Sequence, residues 1–328
     1  MGKKRRIIKI AAPLLIVVLL LAAALVFISR SPVLVVSDSA FDGMYGGLRL
    51  RVKRVETSVR LWRQVKTVRI AEDAGEDVAI FAIGAAATKP FCVLFPYRYY
   101  NEAKRYAGEF PAVPVGVLQG RLRDLSGPPP NLFFFGTDST LDFYRAGQCA
   151  AIFAQSMIGA GESLAESPDA AGVSAQTASE PGEILFFQDD LVSEEDREAF
   201  SLGLAEKGYG RTPVYQNAGA SFTPRPDTAC VVIRGAAQSF FEQSLDIPVL
   251  LFSWIDPALT PDRIKLVFDD SPWALAVPVV KMIEGDINNI EDIGDIKIIP
   301  SEIQILSRRI SEKERRENIK RAVLSRMP

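Results

Sequence analysis

The chain has 328 residues, with 38 basic and 40 acidic side chains and no histidine, so its formal charge at neutral pH is −2. Without imidazole there is no Ser-His-Asp or Cys-His nucleophile, no His-ligated zinc and no side chain whose unperturbed pKa lies near neutrality. At about 100–200 residues per domain the length predicts two compact units, and 48% hydrophobic residues suffice for real cores, which excludes a globally disordered chain.

The chain opens on a basic cluster, Lys3–Arg6 and Lys9, followed by nineteen uncharged residues from Ile10 to Ile28. As a helix at about 1.5 Å per residue this run covers roughly one hydrocarbon core. The positive-inside rule then predicts a cytoplasmic stub over 1–9, a transmembrane helix over 10–29 and an extracytoplasmic remainder. A cleaved signal peptide is the rival reading, because Ala22-Ala23-Ala24 offers small residues. The apolar run exceeds the about 7–15 residues of a signal core, and bulky Leu25, Val26 and Phe27 follow the alanines, which favours an uncleaved signal-anchor in the inner membrane.

Beyond the anchor, apolar runs alternate with helical patterns. Strands are predicted over Pro32–Val36, Lys66–Ile70, Phe91–Phe95, Ala112–Leu118 and Asn131–Gly136, with a basic amphipathic helix over Tyr45–Trp62 and a polar helix over Tyr97–Glu109. The alternation continues with a helix over Leu141–Met157, strand Glu183–Phe187, helix Ser193–Lys207, strands Pro213–Gln216 and Ala229–Ile233, helix Ala236–Leu245, strands Pro248–Phe252 and Ile264–Phe268, and helix Trp273–Glu284. Strands that are apolar throughout and separated by helices indicate βα units with parallel sheets covered on both faces. Ser193 followed by three acids marks a capped helix start, and Gly208 its end. Residues 159–182 lack aromatics and read as a flexible surface insertion. The charged tail 311–328 has Ile319, Val323, Leu324 and Met327 at helical spacing and reads as a solvated terminal helix or as a basic face resting on anionic lipid headgroups. No long-period internal repeat is evident.

Residues 31–306 hold 24 basic against 37 acidic residues, a balance that repels nucleic acid phosphates, so no nucleic acid partner is expected. Cys92, Cys149 and Cys230 sit in apolar surroundings with no CxxC spacing and read as core residues. No GxGxxG, P-loop or HExxH pattern occurs, so neither an enzyme, a cofactor nor a metal site is expected.

Three stretches carry a resemblance. Phe133–Phe153, with an aspartate ahead of Gly147-Gln148-Cys149-Ala150-Ala151, resembles a crossover strand and helix of the type I periplasmic binding proteins, the superfamily that includes LacI-type regulator cores and basic-membrane-protein-like receptors. Glu183–Gly208 is similar to its strand, polar loop and arginine-bearing helix, and Lys265–Ile283 to its last crossover. The insertion at 159–182 and the segment Ala74–Lys89 depart from the pattern. The resemblance implies two Rossmann-like lobes, 31–137 plus 271–295 and 138–270 plus 296–310, that close on a small ligand and deliver it to an ABC permease.

In open α/β sheets ligands bind beyond the carboxyl ends of the strands. Reading the residues after each apolar run gives Asp38, Phe41, Asp42, Tyr97, Asp138, Asp190, Arg234, Trp254 and Asp270. Carboxylates accept hydrogen bonds from hydroxyl or amine donors, and the aromatics stack on a sugar face or a base, which favours a sugar- or nucleoside-type ligand over an anion. Asp138, Asp190 and Asp270 serve equally well as helix caps. Trp254 equally packs a hinge, and Arg234 equally pairs with a neighbouring acid. The alternative function is an envelope scaffold or sensor with the same fold and no ligand.

Overall fold

A computed structural model describes residues 2–37, 47–70, 75–118, 128–162, 181–188, 192–217, 225–234, 247–252, 262–269, 271–286, 296–299 and 301–327; the side chains of 2–14, 16, 47, 49, 76, 156–162, 286 and 296–299 are not described. In chain order the elements are α1 (Gly2–Ser29), β1 (Val33–Ser37), α2 (Gly47–Leu61), β2 (Val65–Arg69), α3 (Glu76–Ala86), β3 (Cys92–Pro96), α4 (Tyr100–Glu109), β4 (Val115–Leu118), β5 (Leu132–Thr137) and α5 (Ser139–Glu162). There follow β6 (Glu183–Gln188), α6 (Glu194–Glu206), β7 (Val214–Asn217), β8 (Thr228–Arg234), β9 (Val249–Phe252), β10 (Ile264–Asp269), α7 (Pro272–Asp286), β11 (Ile296–Ile299), β12 (Glu302–Ile305) and α8 (Lys313–Val323).

These elements form two compact units, Met1–Gly136 with Leu275–Ile299 and Thr137–Ala274 with Pro300–Pro328. Each holds a six-stranded sheet, β2-β1-β3-β4-β5-β11 in the first and β7-β6-β8-β9-β10-β12 in the second. The two orders are the same when the strands are counted along the chain, so the molecule is a topological repeat. Strands β1 to β5 run parallel, as do β6 to β10, while β12 is antiparallel to β10. Strands β1, β3, β4, β6 and β9 are buried along their whole length, as the continuous apolar runs require of strands covered on both faces.

In the first unit Leu34, Val36, Val93, Phe95, Val115, Val117 and Phe134 pack against Ala79 and Ile83 of α3 and Ala103, Tyr106 and Ala107 of α4. The segment Ala74–Lys89 thus contains a helix, α3. Glu284 of α7 accepts from Arg30 at 3.3 Å and Arg63 at 2.9 Å, which ties the entry to β1 and the end of α2 to one carboxylate.

In the second unit an aromatic run crosses the core: Phe143 stacks on Phe252 at 4.4 Å, and Phe252 on Phe268 at 4.5 Å. The Ser193 side chain accepts from the Asp196 N–H and the Asp196 carboxylate from the Ser193 N–H, a reciprocal cap that starts α6. Gly208 follows at φ +75°, the left-handed conformation that ends a helix at low cost.

Three expectations change. Residues 296–299, expected in the second lobe, form β11 in the first unit's sheet. The short runs over 296–299 and 302–305 gave no strand signal, yet both add edge strands. The charged tail is a packed helix, for Ile319, Ala322 and Val323 of α8 are buried in the second unit's core. Of the insertion at 159–182, the first four residues continue α5 as helix; 163–180, and the expected helix over Ala236–Leu245, lie outside the described residues. Among the described residues no helix is long and apolar enough to cross a membrane.

Helices α5 and α6 touch backbone to backbone. A Cβ on Gly203 would collide with the Tyr144 carbonyl oxygen, and one on Gly147 with that of Phe200. Gly147 is the glycine of the Gly-x-x-Ala-Ala stretch, and the packing explains why nothing larger fits. Gly84, exposed in α3, has open space around it. Gly203→Ala is therefore expected to destabilise by about 1–3 kcal/mol through overpacking, and Gly84→Ala to stabilise by about 0.5–1 kcal/mol through backbone entropy. Urea denaturation followed by circular dichroism reads both signs.

All three cysteines are free and buried. Burial pushes the Cys149 thiol up to about 12 against the smaller opposing pull of Lys207 and Arg145. Burial likewise raises Cys92 and Cys230. A thiol whose folded pKa is raised contributes stability that is intact below its unfolded pKa of about 8.5 and is lost as pH climbs toward the folded value. The native protein should leave all three thiols unreacted with a disulfide reagent at pH 8, react fully on unfolding, and lose stability between about pH 8.5 and 12. Rapid native labelling would contradict the burial.

Candidate functional site

In a sheet ordered 2-1-3-4-5 the connections leave β1 in opposite directions, so a crevice opens at the carboxyl ends of β1 and β3. The repeat places the corresponding crevice at β6 and β8. Each is described within its own unit.

In the first unit Ser37, buried, closes β1, and Tyr97 follows β3 in a 3₁₀ turn, Tyr97–Tyr99. The half-buried Tyr97 ring stacks on Tyr100 at 6.4 Å, and Tyr100 leans on Phe134 at 5.9 Å. Burial, and then the neighbouring Tyr97, raises the Tyr100 phenol above its usual range. Both rings offer an aromatic face with a hydroxyl that donates and accepts. Arg98 lies 5.1 Å over the buried Tyr99 ring. Asp38, Phe41 and Asp42 lie outside the described residues.

In the second unit the strand register sets out a polar row. Gln188 at the end of β6 is level with Asn217 of β7. Since Phe187 is level with Ile233, Arg234 at the end of β8 is level with Gln188. Asp269 ends β10 one residue beyond Phe268, itself level with Phe252. Neighbouring strands are about 4.8 Å apart, so Asn217, Gln188 and Arg234 line one edge; Phe252 continues their level on β9, and Asp269, a residue further along β10, turns to the opposite face.

Arg197, in the first turn of α6, stands over this row. Its Nε donates to Gln188 Oε1 at 3.0 Å and its Nη1 to Glu194 Oε2 at 3.0 Å. Its guanidinium lies 5.6 Å over the Tyr215 ring. Burial raises the Tyr215 phenol, opposed by its contact with Ser201 and by Arg197. Asp269 is buried and accepts from the Ser271 N–H at 3.1 Å and from Gln304 Nε2 at 3.4 Å. The Oε1 of Gln216, beside Tyr215, is buried with no hydrogen-bond partner.

Of the residues chosen from sequence, Tyr97 and Arg234 are found at strand ends beside a switch point. Asp138 caps α5, its Oδ1 accepting from the Leu141 N–H at 3.0 Å. Asp190, Trp254 and Asp270 lie outside the described residues. Sequence reasoning passed over Gln188, Arg197, Asn217 and Asp269. Gln188 directly follows the predicted strand Glu183–Phe187 and was passed over for the acidic Asp190 two residues on. Among the described residues no group of three or more carboxylates or thiols gathers as a metal site would.

The sequence matches no family model and no curated protein. Solved structures do match by fold. An ABC transporter solute-binding protein from Aeropyrum pernix K1 aligns at TM-score 0.54 and 11% identity, over 90% of this chain and 85% of its own. A transcriptional activator of the comK gene from Bacillus halodurans aligns at TM-score 0.54 and 11% identity, over 90% and 96%. An ABC transporter periplasmic solute-binding protein from Actinobacillus succinogenes 130z with bound D-allose aligns at TM-score 0.51 and 11% identity, over 85% and 99%.

The chain has the type I periplasmic binding protein fold. None of the three structures is named as an enzyme; two are solute-binding proteins and one is a regulator. On this fold, the polar row and the Tyr97–Tyr100 pair occupy the strand ends where such a sheet places its ligand contacts.

The cap geometry of Asp138 yields a test. Asp138→Ala should cost about 1 kcal/mol by freeing the α5 N-terminus, and Asp138→Ser should restore most of it. Thermal melts of the two variants distinguish this from a purely ligand-facing carboxylate, whose removal leaves the unliganded protein unchanged.

Proposed function

We propose that the chain is a membrane-anchored, extracytoplasmic solute-binding protein that closes on a small polar ligand of sugar or nucleoside type and delivers it to an ABC permease. The observation that carries the reading is the row Asn217, Gln188 and Arg234 on the carboxyl edge of a parallel sheet, with Arg197 held over it by Glu194 and Gln188. Neutral amides beside a positioned guanidinium suit vicinal hydroxyls, which both donate and accept. Tyr97 and Tyr100 add aromatic faces of the kind that pack on a sugar ring. D-Allose in a protein of this fold favours a sugar over a nucleoside. No reaction is part of the reading.

The anchor is supported by the uncharged run Ile10–Ile28 and by the exposure of Leu15, Val17–Leu21, Leu25, Val26 and Ile28 on α1. A contiguous apolar surface of this size finds its natural solvent in a bilayer. The basic residues ahead of it set the amino terminus inside.

Thermal shift against a panel of pentoses, hexoses and nucleosides tests the ligand. At a hundred-fold excess over Kd a ligand adds about 2.7 kcal/mol, a rise of roughly 5–10 °C for units of this size. Arg197→Ala should abolish the shift while leaving the unliganded melt nearly unchanged. Silence across the whole panel would overturn the reading in favour of a scaffold.

A further inference from the structure

Helix α2 is amphipathic in the reverse of the usual sense. Leu50, Thr57 and Leu61 face the sheet and are buried. The opposite face carries Leu48, Val52, Val55 and Val59, exposed at 78%, 48%, 59% and 62%, and Trp62 just beyond the helix at 45%. At 100° per residue these five positions fall within about 80° of one another, a single apolar stripe turned away from the core. Exposed Arg51 and Arg54 border it on one side; on the other Glu56 comes first and Arg60 beyond it, the two ion-paired at 2.8 Å.

The charge of this segment runs against that of the remainder of 31–306, although the terminal segment 307–328 is basic too, with eight basic residues against three acidic. Residues 47–69 hold eight basic residues and one acidic; the remainder of 31–306 holds sixteen basic and thirty-six acidic. The stripe also lies next to the end of α1. Phe27 packs edge-on against Trp62 at 5.7 Å, and Arg30 Nη1 donates to the Trp62 carbonyl at 3.3 Å. Only Arg30, Ser31 and Pro32 separate α1 from β1, a reach of about 10 Å. Trp62 has φ +50°, rare for a bulky residue, and this turn holds the indole at the helix end.

We infer that α2 docks on the surface of an anionic membrane, its apolar stripe seated at the headgroup boundary and Arg51, Arg54 and Arg60 on the lipid phosphates. An apolar face flanked by arginines, with a tryptophan at its end, is the pattern of a helix lying in the interface. A second copy is disfavoured by charge, because each α2 carries five basic residues against one acidic and two such helices repel. One five-residue stripe also falls short of the roughly 1,200 Å² that a stable protein interface buries. The inference rests on α1 being the membrane anchor.

The test uses the full chain in vesicles, with an environment-sensitive fluorophore on Val55→Cys in one sample and on Ala23→Cys in another, and nitroxide lipids as quenchers. In phosphatidylglycerol-containing vesicles both labels should be quenched. In pure phosphatidylcholine only the Ala23 position should be. Arg51→Gln, Arg54→Gln and Arg60→Gln should each weaken the Val55 signal, with surface affinity falling roughly five-fold per arginine, and leave the Ala23 signal intact. An Ala23 label that is quenched beside a Val55 label that stays in water overturns the docking while the anchor stands. Shielding at Val55 that follows protein concentration and ignores the lipid quencher assigns the face to a second copy and overturns it too. Loss of quenching at both positions removes the anchor, and the inference with it.

Discussion

A parallel sheet has no wet face. Strands β1, β3, β4, β6 and β9 are buried from end to end, so each sheet must be sandwiched by helices and every connection must cross from one end to the other. That requirement decides where chemistry can reside. Polar side chains cannot sit along the strands, and they collect where the strands stop: Tyr97 after β3, Gln188 on β6, Arg234 on β8 and Asp269 on β10. The carboxyl edge gathers hydrogen-bonding groups at a fixed spacing that the apolar strand interiors do not offer.

The same need for dense cover explains the α5–α6 crossing. Two helices over one sheet come close enough for carbonyl oxygens to meet the Gly147 and Gly203 positions. The close approach lets Tyr144 and Gln148 share the Glu206 carboxylate, Gln148 Nε2 donating to it at 3.0 Å. Packing at this distance fixes the start of α6 relative to β6, and with it Arg197. A pair of glycines far from the polar row thus positions the guanidinium in it.

How much could be read beforehand follows from the physics of each element. Runs such as FCVLF and EILFF have one reading because continuous apolar strands occur where both faces are covered. Strands β11 (IKII) and β12 (EIQI) are four residues each at the sheet edges, where charged or polar residues interrupt any comparable run. Helix α8 was legible from the spacing of Ile319 and Val323, but its burial was masked by its charge: Ile319, Ala322 and Val323 make one buried stripe beside eight charged residues in the segment 312–321. The topological repeat left no trace in the sequence, since the sheet fixes a burial pattern and accepts any apolar residue that fills it. In the site, reading the residues that follow each run found Tyr97 and Arg234, and passed from Phe187 over Gln188 to the acidic Asp190. The arginine-bearing helix was legible, but the meeting of Arg197 with Gln188 needed α6 folded back beside β6. Asp138 had two readings of equal chemistry, and the Leu141 N–H shows one of them, the cap.

An anchored binding protein also has to present its ligand in a fixed orientation to a partner in the same membrane. On the proposed reading, a span followed by a three-residue connection would hold the body near the bilayer without fixing its rotation about the span. The Arg30 and Arg63 contacts with Glu284 couple the end of α1 to α7 inside the first unit. A second and weaker contact through α2 would fix the remaining rotation, and its strength would follow anionic lipid content and ionic strength, because it depends on exposed arginines within a Debye length of the surface. The acidic balance of the remainder of 31–306 would work in the same direction, while 307–328, with eight basic residues against three acidic, would not. Orientation would then come from charge placement around one helix, and the binding edges of the sheets would stay free of the membrane.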